Sequence, residues 1–144
     1  MGLITELLAK RSPVVHIVSP DQTVLDAVAV MAARRVGAVP VVERGHLVGI
    51  FSERDVIWRV VARGRSVEKT RIVEVMTPDP VTAEPGDERA LAMLKMEEAG
   101  CRHLPVVQYG AVVDMLSIRD LLFGELEERA EAVDSLRRYI GGSY

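Results

Sequence analysis

Cysteine is almost missing from this sequence: Cys101 is the only one in 144 residues. An intramolecular disulfide is therefore excluded, and a reducing compartment fits. Histidine is nearly as scarce, and His16, His46 and His103 lie far apart, without the spacing of zinc ligands. No Lys/Arg block is present, and a formal net charge of −3 offers nothing to a polyanion such as nucleic acid. No apolar run approaches the ~20 residues needed to cross a bilayer. The N-terminal Met-Gly-Leu-Ile-Thr-Glu lacks the basic-then-apolar order of a signal peptide. The glycines follow neither GxGxxG nor a P-loop pattern, which removes the Rossmann and NTPase readings. The expectation is a cytoplasmic, metal-independent protein with no nucleic-acid or membrane partner.

What the chain does contain is a repeat. Residues 20–58, moved forward by 65 positions without a gap, fall on residues 85–123, and 11 of the 39 positions are identical. Chance would give roughly two to four, so two copies of one structural unit are expected. The identities concentrate in Pro40-Val41-Val42 against Pro105-Val106-Val107, a glycine turn (Gly45, Gly110), and Ser52-x-Arg54-Asp55 against Ser117-x-Arg119-Asp120.

Each unit reads as strand, helix, strand, strand, helix. In the first, Val14–Val18 is a β-branched run, and Thr23–Arg35 carries Val24, Ala27, Val28 and Met31 at helical spacing. Asp21 or Gln22 lies at that helix's start, and Gly37 just past its end. Ala38–Val42 and Leu47–Phe51 form a predicted hairpin, and a second helix opens at Ser52. The second unit repeats this with Val81-Thr82, Glu88–Ala99, Leu104–Gln108, Val112–Leu116 and a helix from Ser117. Gly64–Lys69 is a polar linker and Ile72–Met76 a short helical turn. Met-Thr-Pro-Asp-Pro then demands extended backbone into the second unit. The fold class is α/β (α+β), divided as residues 1–66, 67–124 and a C-terminal helix 125–144. In that helix Leu122, Leu126, Ala130, Val133, Leu136 and Ile140 make one apolar stripe, with Gly141-Gly142 as the stop. The stripe packs either on its own chain or in a dimer.

A serine three residues before an acid, at a strand-to-helix switch, is a capping box. The same geometry also suits anions, because a helix N-terminus carries free N–H donors and partial positive charge. A carboxylate there can accept ribose hydroxyls, and Arg54 and Arg119 offer planar forks for phosphate. A cap alone needs no arginine, yet serine, arginine and aspartate recur together. Trp58 and Phe123 fall at equivalent positions, where core or dimer packing is a better reading than base stacking. Cys101 and His103 share a strand face, but nothing orients them as a nucleophile and base.

Gly37–Val42, Leu47–Asp55, Arg102–Val107, Ser117–Asp120 and Val75-Met76-Thr77 together resemble cystathionine-β-synthase (CBS) domains. The chain, over Val14–Phe123, is similar to a stand-alone CBS pair. The resemblance implies two units packed pseudo-symmetrically through their sheets, usually a dimer, with adenine nucleotides (AMP, ADP, ATP, NAD or S-adenosylmethionine) in two clefts between units. Carried over, one cleft combines Ser52, Arg54 and Asp55 with Val81, Arg102 and His103, with Ile50 against the base. Asp55 would hold the ribose and Arg102 the phosphate. The other combines Ser117, Arg119 and Asp120 with Ile17, Gly37 and Ala38, with Met115 against the base. Here Asp114 replaces the glycine represented by Gly49, and Gly37-Ala38 lacks the charge of Arg102-His103. The Asp55 cleft is thus expected to bind more tightly. The implied function is a non-enzymatic nucleotide sensor, acting as a homodimer on a separate partner protein and needing no catalytic cofactor. The rival is a structural module whose boxes only cap helices.

Overall fold

The computed structural model describes residues 2–10 and 15–141, so Val14 and Gly142 lie outside the described residues. In chain order the elements are α1 (Ile4–Leu8), α2 (Val24–Arg34), β1 (Ala38–Glu43), β2 (His46–Ser52) and α3 (Glu53–Asp55). Without a break α3 widens into a π turn, Val56–Val60, and tightens into a 3-10 turn, Val61–Arg63. Then follow α4 (Ile72–Val75), β3 (Thr77–Pro78), α5 (Arg89–Ala99), β4 (His103–Gln108), β5 (Ala111–Ser117) and α6 (Ile118–Gly141).

The two units repeat down to backbone detail. Each hairpin turns through two left-handed residues, Arg44-Gly45 and Tyr109-Gly110, the turn that matches strand twist. Each carries a bulge at the same place, Val41/Val42 and Val106/Val107. The hairpins' β-branched residues are buried because helices cover one side and the other unit's sheet the other: β1 and β2 both meet β5.

The predicted first strands shrink to single bridges. Val18 pairs with Val41 and Ala83 with Val106, both parallel. Each makes two bonds, Val18 N–H to the Pro40 carbonyl and Val42 N–H to the Val18 carbonyl, repeated as Ala83 to Pro105 and Val107 to Ala83. Nearby prolines cannot donate and thus prevent a longer ladder. Helix α2 begins at a box between Thr23 and Asp26, not at Asp21 or Gln22, and ends with Arg35 left-handed at φ 54°. Gly37 is therefore not its terminator.

Chain continuity groups residues 1–66, but packing does not. Ile4 lies in the second core with Ala83, Ala92, Met96, Leu104, Val106, Leu116 and Leu121. Reciprocally, Ile72 and Val75, in the segment before unit 2, complete the first core with Val24, Met31, Val41 and Phe51. The backbone contacts match: Ile4 N–H meets the Asp87 carbonyl and Thr5 N–H that of Pro85, as Ile72 meets Gln22 and Val73 meets Pro20. Thus α1 is to unit 2 what α4 is to unit 1, and each unit is closed by the segment preceding the other.

The exchange continues through β3, which extends the first sheet by pairing Pro78 with Gly49 and Thr77 with Ile50. A Cβ on Gly49 would lie 2.5 Å from Met76 Sδ and 3.0 Å from the Thr77 carbonyl. Glycine is required there because two backbones approach closely. Gly49→Asp is expected to cost about 1–3 kcal/mol by displacing β3, read as an earlier denaturant midpoint. Unit 2 has Asp114 at this position, buried, its carboxylate accepting the Met115 N–H at 2.7 Å. Among the described residues, β5 has no third strand.

The C-terminal helix is not a separate element. One 24-residue helix, α6, runs from Ile118 to Gly141. Its early turns pack inward through Leu121 and Gly124, where a Cβ would lie 2.6 Å from Arg89 Nη1 and Leu7 Cδ2.

Candidate functional site

Ser52 leaves β2 in extended conformation and caps the helix that follows. Its N–H donates to Asp55 Oδ2 at 2.9 Å, its hydroxyl lies 3.2 Å from the same oxygen, and the Asp55 N–H returns a bond to Ser52 Oγ at 3.3 Å. The box is complete and occupies one carboxylate oxygen. The other, Oδ1, faces the Thr77 hydroxyl at 3.4 Å and Arg59 Nε at 3.5 Å. Arg59 also donates to the Met76 carbonyl at 2.7 Å, so it clamps the chain entering unit 2 against the acid of unit 1. The second box has the same form: Ser117 N–H to Asp120 Oδ2 at 2.9 Å, and Asp120 N–H to Ser117 Oγ at 3.1 Å.

Beside the first box, Arg54 crosses to unit 2 and donates to the Gly100 carbonyl at 2.6 Å. An open groove of about 590 Å³ runs there, and both Arg54 and Arg102 line it together with Met93, Leu94, Cys101 and Ile118. Arg102 is exposed and accepts the Ile118 N–H with its carbonyl. The Arg54 guanidinium also lies 5.1 Å from the Trp58 ring centre, and Arg119 lies 5.5 Å from that of Phe123. Trp58 and Phe123 are exposed, so neither is a core residue.

The two units meet closely at the residues before their proline strands. A Cβ on Gly37 would come within 3.0 Å of Glu53 Oε1 and 3.2 Å of His103 Cε1. Gly37 also accepts the Glu53 N–H. His103 pairs across its hairpin with Ser117 and feels the charges of Glu53 and Asp120. It therefore stands where the two units meet, between the acid of one capping segment and that of the other. Burial holds its imidazole below the ordinary value and Arg102 adds to that, while Glu53 and Asp120 oppose. Because the folded state resists protonation, the unfolded state binds more protons as pH falls below about 6.5. Stability is full above that pH and declines below it. His103→Gln should flatten this decline in melting temperatures measured from pH 7.5 to 5.5.

The remaining expected residues lie on the hairpins and just before the single bridges. Ile50 is half-buried between Pro40 and Thr77, and Met115 stands opposite Pro105. Ala38 is buried opposite Ser52, whereas Ile17 and Val81 are exposed just before the single bridges. Sequence reasoning missed Thr77, Arg59 and Glu53 as neighbours of these residues. Thr77 ends the Val75-Met76-Thr77 segment, and Arg59 follows Asp55 by four positions, a helical pairing distance. The position equivalent to Arg59 in unit 2 is Gly124.

The CBS-domain family model matches residues 5–62 and again 72–126. The chain belongs to the CBS-domain family. It is a tandem pair, and its fold agrees with a CBS-domain protein of Burkholderia ambifaria at a TM-score of 0.83, with 31% identity over 87% of this chain and 94% of that one. The CBS pair of protein MJ0100, in complex with 5′-methylthioadenosine and S-adenosyl-L-methionine, superposes at 0.76, with 25% identity, 87% of this chain and 98% of that one. CBSX3, a mitochondrial CBS domain-containing protein of Arabidopsis thaliana, is 35% identical over 86% of this chain, which spans 63% of that relative's length. YhcV of Bacillus subtilis is 34% identical over 78% of this chain and 80% of its own. CBS pairs of this kind are regulatory ligand-binding modules. No helix among the described residues is long and apolar enough to cross a membrane.

Proposed function

We propose that this CBS pair is a non-catalytic sensor that binds an adenine nucleotide between its two units and passes the binding on through a homodimer to a partner protein. One observation carries the reading. A capping box consumes only one oxygen of Asp55, and the second is aimed across the unit boundary at Thr77. A ribose hydroxyl entering there would meet an acceptor already oriented by Arg59 and buried from competing water. Beside it, Arg54 and Arg102 supply positive charge from opposite units to one groove, where a phosphate would be held. The relative crystallised with methylthioadenosine and S-adenosylmethionine supports an adenosine-type ligand. AMP, ADP, ATP, NAD and S-adenosylmethionine all present that moiety.

Such a ligand bonds to both units at once, so it favours the inter-unit angle that seats it best. The transmitted free energy equals its differential affinity for the two arrangements. Both helical layers present apolar faces that a partner copy can cover: Leu25, Ile57 and Trp58 on one, Leu91, Leu122 and Phe123 on the other. The completed capping boxes favour the rival, a structural module with vestigial clefts. Thermal shift separates the two. At millimolar AMP, NAD or S-adenosylmethionine a sensor's melting temperature rises by linkage, and no rise with any of these ligands would leave the structural reading.

A further inference from the structure

We propose that the projecting half of α6 pairs antiparallel with α6 of a second copy, as a short coiled coil that extends the dimer proposed above. The proposal rests on that dimer reading. Leu122, Leu126, Arg129, Val133, Leu136 and Ile140 follow one another at alternating intervals of four and three residues. That is the a/d period of a two-stranded coiled coil, with one polar residue, Arg129, at its middle.

None of this stripe is buried among the described residues. The inward face of α6 uses Leu121, Gly124 and Glu128, the last tied to the buried Arg89, and inward packing ends there. From Arg129 to Ile140 every residue is exposed, including Leu136 at 62% and Ile140 at 70%. A free helical segment of twelve residues is marginal in water, at the lower end of the ~12–15 that even good helix formers need. A partner therefore has to cover it.

Charge decides which partner and in which direction. Residues 125–134 hold five acids (Glu125, Glu127, Glu128, Glu131, Asp134) against the single Arg129, whereas the last turns hold Arg137 and Arg138. Parallel pairing would set acid against acid and arginine against arginine. Antiparallel pairing about residue 131 sets Glu131 against its own copy and Glu128 level with Asp134, but it brings Arg137 and Arg138 of one copy alongside the Glu125 turn of the other, and opposes the helix dipoles. In the same register the stripe covers itself completely: Leu122 meets Ile140, Leu126 meets Leu136, and Arg129 meets Val133. Arg129 already lies 3.8 Å from Glu125, so its charge stays paired at the rim while its stem packs. The stripe is also continuous with the Leu122 and Phe123 face.

The test uses the full chain. Val133→Asp combined with Ile140→Asp changes only exposed residues, so folding should survive. Sedimentation should show self-association weakened by about tenfold or more, equivalent to ~1.4 kcal/mol. In a Cys101→Ser background, Leu126→Cys with Leu136→Cys should give a covalent dimer on mild oxidation, and either cysteine alone should not. A dimer that ignores the two aspartates keeps the dimer reading but overturns this pairing. So does a dimer whose single-cysteine variants cross-link readily, which would mean parallel helices, or whose double variant does not, which would assign the stripe to another protein. A wild-type chain that is monomeric at high concentration overturns both.

Discussion

Ile4→Ala should lower the unfolding free energy by about 2–5 kcal/mol, as much as truncating a central core residue. A residue so near a chain terminus is usually dispensable. Here Ile4 is fully buried among the helices and strands of unit 2, while α1 is stitched to Pro85 and Asp87 by backbone bonds. The structural equivalent is Ile72, also 0% exposed, in the core of unit 1. Ile72→Ala should therefore cost a similar amount, and Val73→Ala, on the exposed side of α4, roughly 0.5 kcal/mol or less. Melting temperatures should separate by about 10 °C between the buried and exposed variants. A cost under ~1 kcal/mol for Ile4→Ala, beside a full cost for Ile72→Ala, would show that α1 is not part of the second core.

Asp55→Ala should weaken AMP binding about 10–100-fold by calorimetry, because charge-assisted bonds to ribose hydroxyls contribute ~1.5–3 kcal/mol each. Asp120→Ala should cost clearly less. Arg59 orients the oxygen of Asp55 that the capping box leaves unused, whereas unit 2 has Gly124 at the matching position. Arg102 likewise stands where unit 1 has only Gly37. Part of any loss in Asp55→Ala comes from the broken capping box, on the order of 1 kcal/mol of helix stability. Asp55→Asn retains an acceptor for the Ser52 N–H while removing the charge, so it distinguishes affinity from folding. Equal losses at Asp55 and Asp120 would overturn the inequality of the clefts.

The fold was largely legible because its signals are local. Hairpin alternation, the turns at Gly45 and Gly110, the helical spacing of Ala27 and Met31, and the Ser-x-x-Asp boxes all act within a few residues. The first strands misled because Val14–Val18 and Val81-Thr82 have strand composition, yet nearby prolines remove the donors a ladder needs. The α1–α4 equivalence was missed because it holds at an offset of 68 rather than 65. Ile4 and Glu6 match Ile72 and Glu74 only after a three-residue gap. Gly37 has the position of a helix stop, but its lack of a side chain answers to Glu53 and His103, which no local window contains.

The sequence by itself determined the duplication, the mixed α/β class and the residues that carry polar chemistry in each unit. Those follow from spacing and residue type alone. Only the tertiary structure decided who faces whom: Asp55 toward Thr77, Arg54 beside Arg102, His103 between Glu53 and Asp120, and Ile4 inside the other unit's core. The reason is physical. Capping and turn formation are settled by neighbours in the chain, whereas a cleft between two units depends on which apolar face is still uncovered when each unit closes. In this protein the segment that closes each unit comes from just before the other.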